Sequence, residues 1–72
     1  MTASKRLLAH FQYSHLPEVL QKVSKPICEL AKQLDNEIAD GPEKTVGLRK
    51  LLEAKDCMVR AALEGVHEAN SL

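Results

Sequence analysis

The segment Pro17–Ile38, PEVLQKVSKPICELAKQLDNEI, decides the fold. With Leu16 before it, large apolar residues stand at Leu16, Leu20, Val23, Ile27, Leu30, Leu34 and Ile38. The steps alternate mostly between four and three, which is the spacing of a heptad seam on one face of a helix. Val19 and Ala31 widen that stripe. Pro17 suits a first helical turn, where its missing N–H costs nothing. Pro26 falls mid-segment, where proline removes a hydrogen bond and crowds the preceding turn, so it should kink the helix or restart it. Ser24 is placed to cap a restarted half. The segment reads as one long helix over 17–39, kinked near Pro26.

Working outward, turn chemistry follows at Asp35-Asn36 and at Asp40-Gly41-Pro42. Asp40 and Glu43 fit a capping box around Pro42, which predicts a second long helix over 42–67. Val46, Leu48, Leu51, Leu52, Met58, Val59, Ala62, Leu63 and Val66 give it a broad apolar face. Ala54, Cys57, Ala61 and Ala62 are small enough for another helix to approach closely, and Gly65 and Asn70 suggest fraying beyond. Upstream, Leu7, Leu8 and Phe11 at helical spacing predict a short helix and a turn over 1–16. β-Branched residues are few and never alternate, so strands are not expected. The chain therefore reads as all-α and as one domain over 1–72: a short N-terminal helix and a long antiparallel helical hairpin.

Composition narrows the function. Ten Lys and Arg balance ten Asp and Glu over 72 residues, for a formal charge of zero. Proteins that coat DNA, RNA or an anionic membrane need a surplus of positive charge, so none of these is an expected partner. One Phe, one Tyr and no Trp leave little for serial base stacking. No apolar run is long enough for a membrane span. The first seventeen residues carry Lys5 and Arg6 and no acid, which faintly resembles a transit peptide but reads better as a basic lead-in to a helix.

Length is the harder limit, because a core this small rarely contributes more than about 3–5 kcal/mol. Cys28 and Cys57 form no CxxC pair, and His10, His15 and His67 show no ligand spacing, so neither a metal nor a disulfide is expected to supply the rest. Two helices cannot cover apolar faces this wide, which points to a helical homo-oligomer.

No acid, base or nucleophile grouping stands at informative spacing, and there is no glycine-rich phosphate loop, so an enzyme is not expected. No cofactor is expected either. Arg49, Glu53, Asp56 and Arg60 form a stripe whose commoner meaning is an exposed ion-pair ladder, Arg49 with Glu53 and Asp56 with Arg60; an inter-subunit network is the sharper alternative. Tyr13 lies in the same N-terminal half as Lys5, Arg6, Lys22, Lys25 and Lys32, which stand against Glu18 and Glu29. A ring to stack a base and an ammonium to meet a phosphate are a minimal nucleotide kit, although a lone Tyr is more often a half-buried packing residue.

Two segments carry a resemblance. Phe11-Gln12-Tyr13 followed by Pro17, and the run from Gly41-Pro42-Glu43-Lys44 through Leu48-Arg49-Lys50-Leu51-Leu52-Glu53-Ala54-Lys55-Asp56, resemble the phage anti-CBASS cyclic-nucleotide sponges. The resemblance spans about Phe11 to Leu63. It implies a compact helical homohexamer in the cytoplasm of an infected bacterial host. Such a protein sequesters cyclic dinucleotides, such as cyclic GMP-AMP, without cleaving them and so blocks CBASS immunity. Some members also hold cyclic trinucleotides. Carried over, Tyr13 stacks on a ligand base and Lys25, or alternatively Lys22, meets the phosphate; Phe11 of the first motif is a further ligand-side candidate. The spacing after Tyr13 and the presence of Pro26 depart from the family pattern. The competing expectation is a helical-hairpin protein-interaction module with no nucleotide ligand.

Overall fold

A computed structural model describes residues 3–71, and the side chains of residues 3–65. Three helices follow one another: α1 over Ala3–Ala9, α2 over Glu18–Glu37 and α3 over Pro42–Ser71. No strand occurs among the described residues. The four residues between α2 and α3 allow only a tight reversal, so the long helices run antiparallel. The α1 helix touches both of them. At about 1.5 Å per residue, the 30 residues of α3 reach about 45 Å, nearly the whole 48 Å length of the molecule. The 20 residues of α2 reach about 30 Å, so the last third of α3 has no α2 beside it.

The helix boundaries follow the sequence chemistry with three differences. The α2 helix runs unbroken through Pro26, so the restart does not occur, and Ser24 caps nothing. Its side chain is fully buried and its hydroxyl has no partner among the described residues. The expected capping box also fails to form. The Asp40 carboxylate accepts instead from Lys44 Nζ at 2.8 Å and from the Ser4 hydroxyl at 3.3 Å. A charged donor holds a carboxylate more strongly than a backbone N–H does. The backbone carbonyl of Gly41 takes the first-turn bonds, from the Thr45 amide at 3.1 Å and the Thr45 hydroxyl at 3.2 Å. The expected fraying near Gly65 and Asn70 is absent from the backbone, since α3 continues to Ser71. The place of the Val66 side chain in the apolar face lies outside the described residues.

The buried face of α2 is not the heptad seam. Leu20, Ser24, Cys28, Ala31 and Asp35 point inward, and of these only Leu20 belongs to the large apolar set. Small side chains there leave room for the Phe11 ring, which is fully buried against Cys28, Ala31 and Leu48. Leu7, Leu8, Tyr13, Ile27, Leu51 and Leu52 close around that cluster. The cost of using the small face is that Val19, Leu30 and Ile38 of the large face stay exposed, as do Val46, Met58 and Leu63 of α3. An apolar groove of about 300 Å³ lies where Leu34 and Ile38 face Gly47 and Leu48.

Candidate functional site

Of the candidate residues, Phe11 and Tyr13 lie in the turn between α1 and α2, and this turn is held from several sides. At the end of α1, the His10 and Phe11 amides donate to the carbonyls of Leu7 and Leu8, both at 3.0 Å. These three-residue bonds tighten the last turn and leave other carbonyls open. Lys55, from far along α3, donates to the His10 carbonyl at 2.9 Å. A cation at a helix C-terminus also answers the partial negative charge there. The Phe11 ring then anchors the chain in the core. Leu16 N–H closes a turn onto the Tyr13 carbonyl at 2.9 Å. The Gln21 side chain reaches back from α2 and donates to the Leu16 carbonyl at 2.7 Å and, more loosely, to that of Ser14 at 3.4 Å.

Tyr13 is half-buried, packed on the core cluster from this pinned turn. Phe11 has no exposed surface, so in this fold it offers a ligand no atom and serves to hold its neighbours in place. Lys22 and Lys25 are exposed on α2. Neither has a side-chain hydrogen bond or ion pair among the described residues, and no such bond joins either of them to Tyr13. The fold brings Tyr13 and Phe11 together on one core cluster.

A polar network far from this turn was not legible in the sequence. Asp35 is buried in the last turns of α2 and faces Lys5 of α1, which donates to its carboxylate. Lys44 of α3 stands 3.0 Å from the same carboxylate and donates to the Asp35 backbone carbonyl at 2.9 Å. The hydrogen bonds from Lys5 and then Lys44 hold the Asp35 carboxyl at about 2, below its ordinary 3.8. Lys44 likewise holds Asp40 below its usual value. The Lys44 ammonium is raised in turn, chiefly by its hydrogen bond to Asp40. Three helices meet at these charges, and the network reads as a structural latch.

On the other side of the N-terminal turn an open cavity of about 250 Å³ lies against α3. His10, Gln12 and His15 line it from the turn, and Lys55, Asp56 and Arg60 from the helix. The expected ion-pair ladder does not form here. Asp56 pairs with Lys55 at 3.1 Å, and Arg60 donates to Cys57 Sγ at 3.3 Å. Lys55 is drawn to the turn by the His10 carbonyl, and that brings its ammonium within reach of Asp56. The Arg49–Glu53 pair is likewise absent among the described residues, both side chains lying exposed.

No family model, curated protein or solved structure matches the chain. The reading of the site therefore rests on its own chemistry. Cys28 is a buried free thiol and Cys57 an exposed one. Among the described residues no group of three His, Cys, Asp or Glu side chains could hold a metal ion. No described helix is long and apolar enough to cross a membrane.

Proposed function

We propose that this chain binds cyclic oligonucleotide second messengers and sequesters them without cleavage, thereby blocking activation of CBASS anti-phage immunity. The ligands are cyclic dinucleotides such as cyclic GMP-AMP, with cyclic trinucleotides a further class. The working particle is a homo-oligomer, a hexamer by resemblance, in the cytoplasm of the infected bacterium. The observation that supports this most is the Tyr13 turn. The turn is braced by Phe11, Gln21 and Lys55, and it presents one half-buried aromatic ring. A braced ring loses little entropy when a base stacks on it, and such stacking contributes about 1–3 kcal/mol per base. Lys25 and Lys22 follow on the next helix with their ammonium groups uncommitted.

One chain cannot surround a ligand with two bases and two phosphates. Two copies related by a two-fold axis supply two rings and two lysines from one of each. The exposed Val19, Leu30, Ile38 and Met58 support such an assembly, since apolar side chains of this size gain from a covering surface. The same exposed residues favour one other reading, a hairpin that docks on a host protein and binds no nucleotide.

Melting the protein with and without cyclic GMP-AMP separates the two. The sponge raises its melting temperature with ligand, Tyr13→Ala removes the rise while native mass is kept, and the nucleotide is recovered intact by chromatography. A flat response across cyclic di- and trinucleotides rejects the sponge and leaves the docking hairpin.

A further inference from the structure

We propose that the cavity between the N-terminal turn and α3 is a separate binding site for a phosphate-type oxyanion, formed within a single chain. It uses neither Tyr13 nor the lysines of α2, so it stands whether or not the cyclic-nucleotide reading holds. The argument begins with which charges are already spent. Lys55 is only 11% exposed and is committed twice, to Asp56 at 3.1 Å and to the His10 carbonyl at 2.9 Å. That fixes its position and answers the single carboxylate that lines the cavity among the described residues. Arg60 is not spent in this way. Its one described acceptor is Cys57 Sγ at 3.3 Å, and sulfur accepts weakly. An anionic oxygen replaces that contact with a charge-assisted bond, and the planar guanidinium fork matches two oxygens at once.

The two histidines face the same space from the turn. Histidine is the side chain that gains charge between about pH 8 and about pH 5. The charged and titratable groups facing the cavity are therefore His10 and His15 from one side, and Lys55, Asp56 and Arg60 from the other. Lys55 and Arg60 outweigh Asp56, so the sum is positive without any charge on the histidines. Gln12 adds a neutral amide donor. Leu16 and Val59 form the apolar part of the lining, which keeps water from fully screening the cations. A cavity of about 250 Å³ accommodates a phosphate group with a small organic substituent or with water.

Sulfate is the first probe, because its charge stays constant while histidine titrates. The ring resonances of His10 and His15 are followed by NMR during a sulfate titration, with ionic strength held by chloride. Both are expected to shift saturably with sulfate. Arg60→Gln weakens binding about tenfold, the loss of one charge-assisted contact, with helix content by circular dichroism unchanged. Lys50→Gln, on an exposed α3 position outside the cavity, makes the same change in net charge and leaves binding intact. Inorganic phosphate at about pH 5.5 reproduces the sulfate shifts. Linear shifts without saturation, or equal weakening by Lys50→Gln and Arg60→Gln, would show bulk charge alone and overturn the site.

Discussion

Lys44 of α3 donates to the backbone carbonyl of Asp35 at 2.9 Å and stands 3.0 Å from the carboxylate of the same residue. One ammonium thus ties the last turns of α2 to the first turn of α3, through main chain and side chain together. Lys5 brings α1 to the same carboxylate. Asp35→Asn keeps the shape but removes the charge that two cations share. It is expected to lower Tm by about 5 °C, because Lys44 keeps Asp40 at 2.8 Å but loses the carboxylate that it shares with Lys5. Thermal denaturation at neutral pH checks this; an unchanged Tm would show the latch to be idle.

The same carboxylate sets the acid limit of the fold. Its pKa is about 2 in the folded chain against an ordinary 3.8. A depressed carboxyl pKa stabilises the folded state above the unfolded value, and the stabilisation is lost as pH falls toward the folded value. Tm should therefore fall between about pH 4 and about pH 2, and that part of the curve should flatten in Asp35→Asn. Lys44 works in the opposite sense at the alkaline end. Its raised pKa stabilises the fold below the ordinary 10.5, and that contribution fades only as pH climbs past it.

Ser24 offers a gain. Its hydroxyl is fully buried in α2 with no partner among the described residues. Ser24→Ala removes an unsatisfied polar group and inserts a better helix former, for a gain of about 1 kcal/mol. A Tm rise of about 4–8 °C is expected on differential scanning calorimetry. A fall in Tm would mean that the hydroxyl has a partner in solution.

Phe11→Ala tests whether the ring holds the turn. Emptying a fully buried aromatic site costs about 3–5 kcal/mol. With five buried apolar side chains among the described residues, that is close to total loss of the native state. Phe11→Leu is the milder variant and should leave a folded protein with a looser Tyr13 turn. Denaturant unfolding of the two variants ranks them; equal stability to the parent would place the ring outside the core.

Leu30→Glu probes the uncovered face. Leu30 is 44% exposed in the single chain, so a carboxylate there leaves the chain itself folded. In the proposed oligomer it is expected to lower the native mass, read by light scattering, while circular dichroism is retained. A parent that is already monomeric removes the need for the seam.

Much of the fold was legible because local chemistry decides it. Pro17 and the Asp40-Gly41-Pro42 turn bracket the helices from within a few residues. The inward face was not legible, for a physical reason. A heptad of large residues says that a face wants covering, but it does not say whether this chain or another covers it. Here the small face of Ser24, Cys28 and Ala31 meets the chain's own Phe11, and Leu30 and Ile38 are left out. Asp35 stands beside Asn36 as turn chemistry, and nothing near it in sequence announces Lys5, 30 residues away. Tyr13 and Phe11 could be singled out by type, yet their different burial could not. The histidine-lined cavity depends on Lys55 meeting His10 across 45 residues, a contact that no local spacing encodes.

The N-terminal segment is fastened like a strap with two buckles, Lys5 at one end and Lys55 at the other, with Phe11 pressed beneath it onto Cys28. The two thiols then work as paired timers. Cys57 is always in water and reports ordinary encounter with a thiol reagent. Cys28 is buried and is reached when the packing over it opens locally. The ratio of their labelling rates measures how often this small chain opens at its seam, and any molecule that presses on the strap should slow only one of the two clocks.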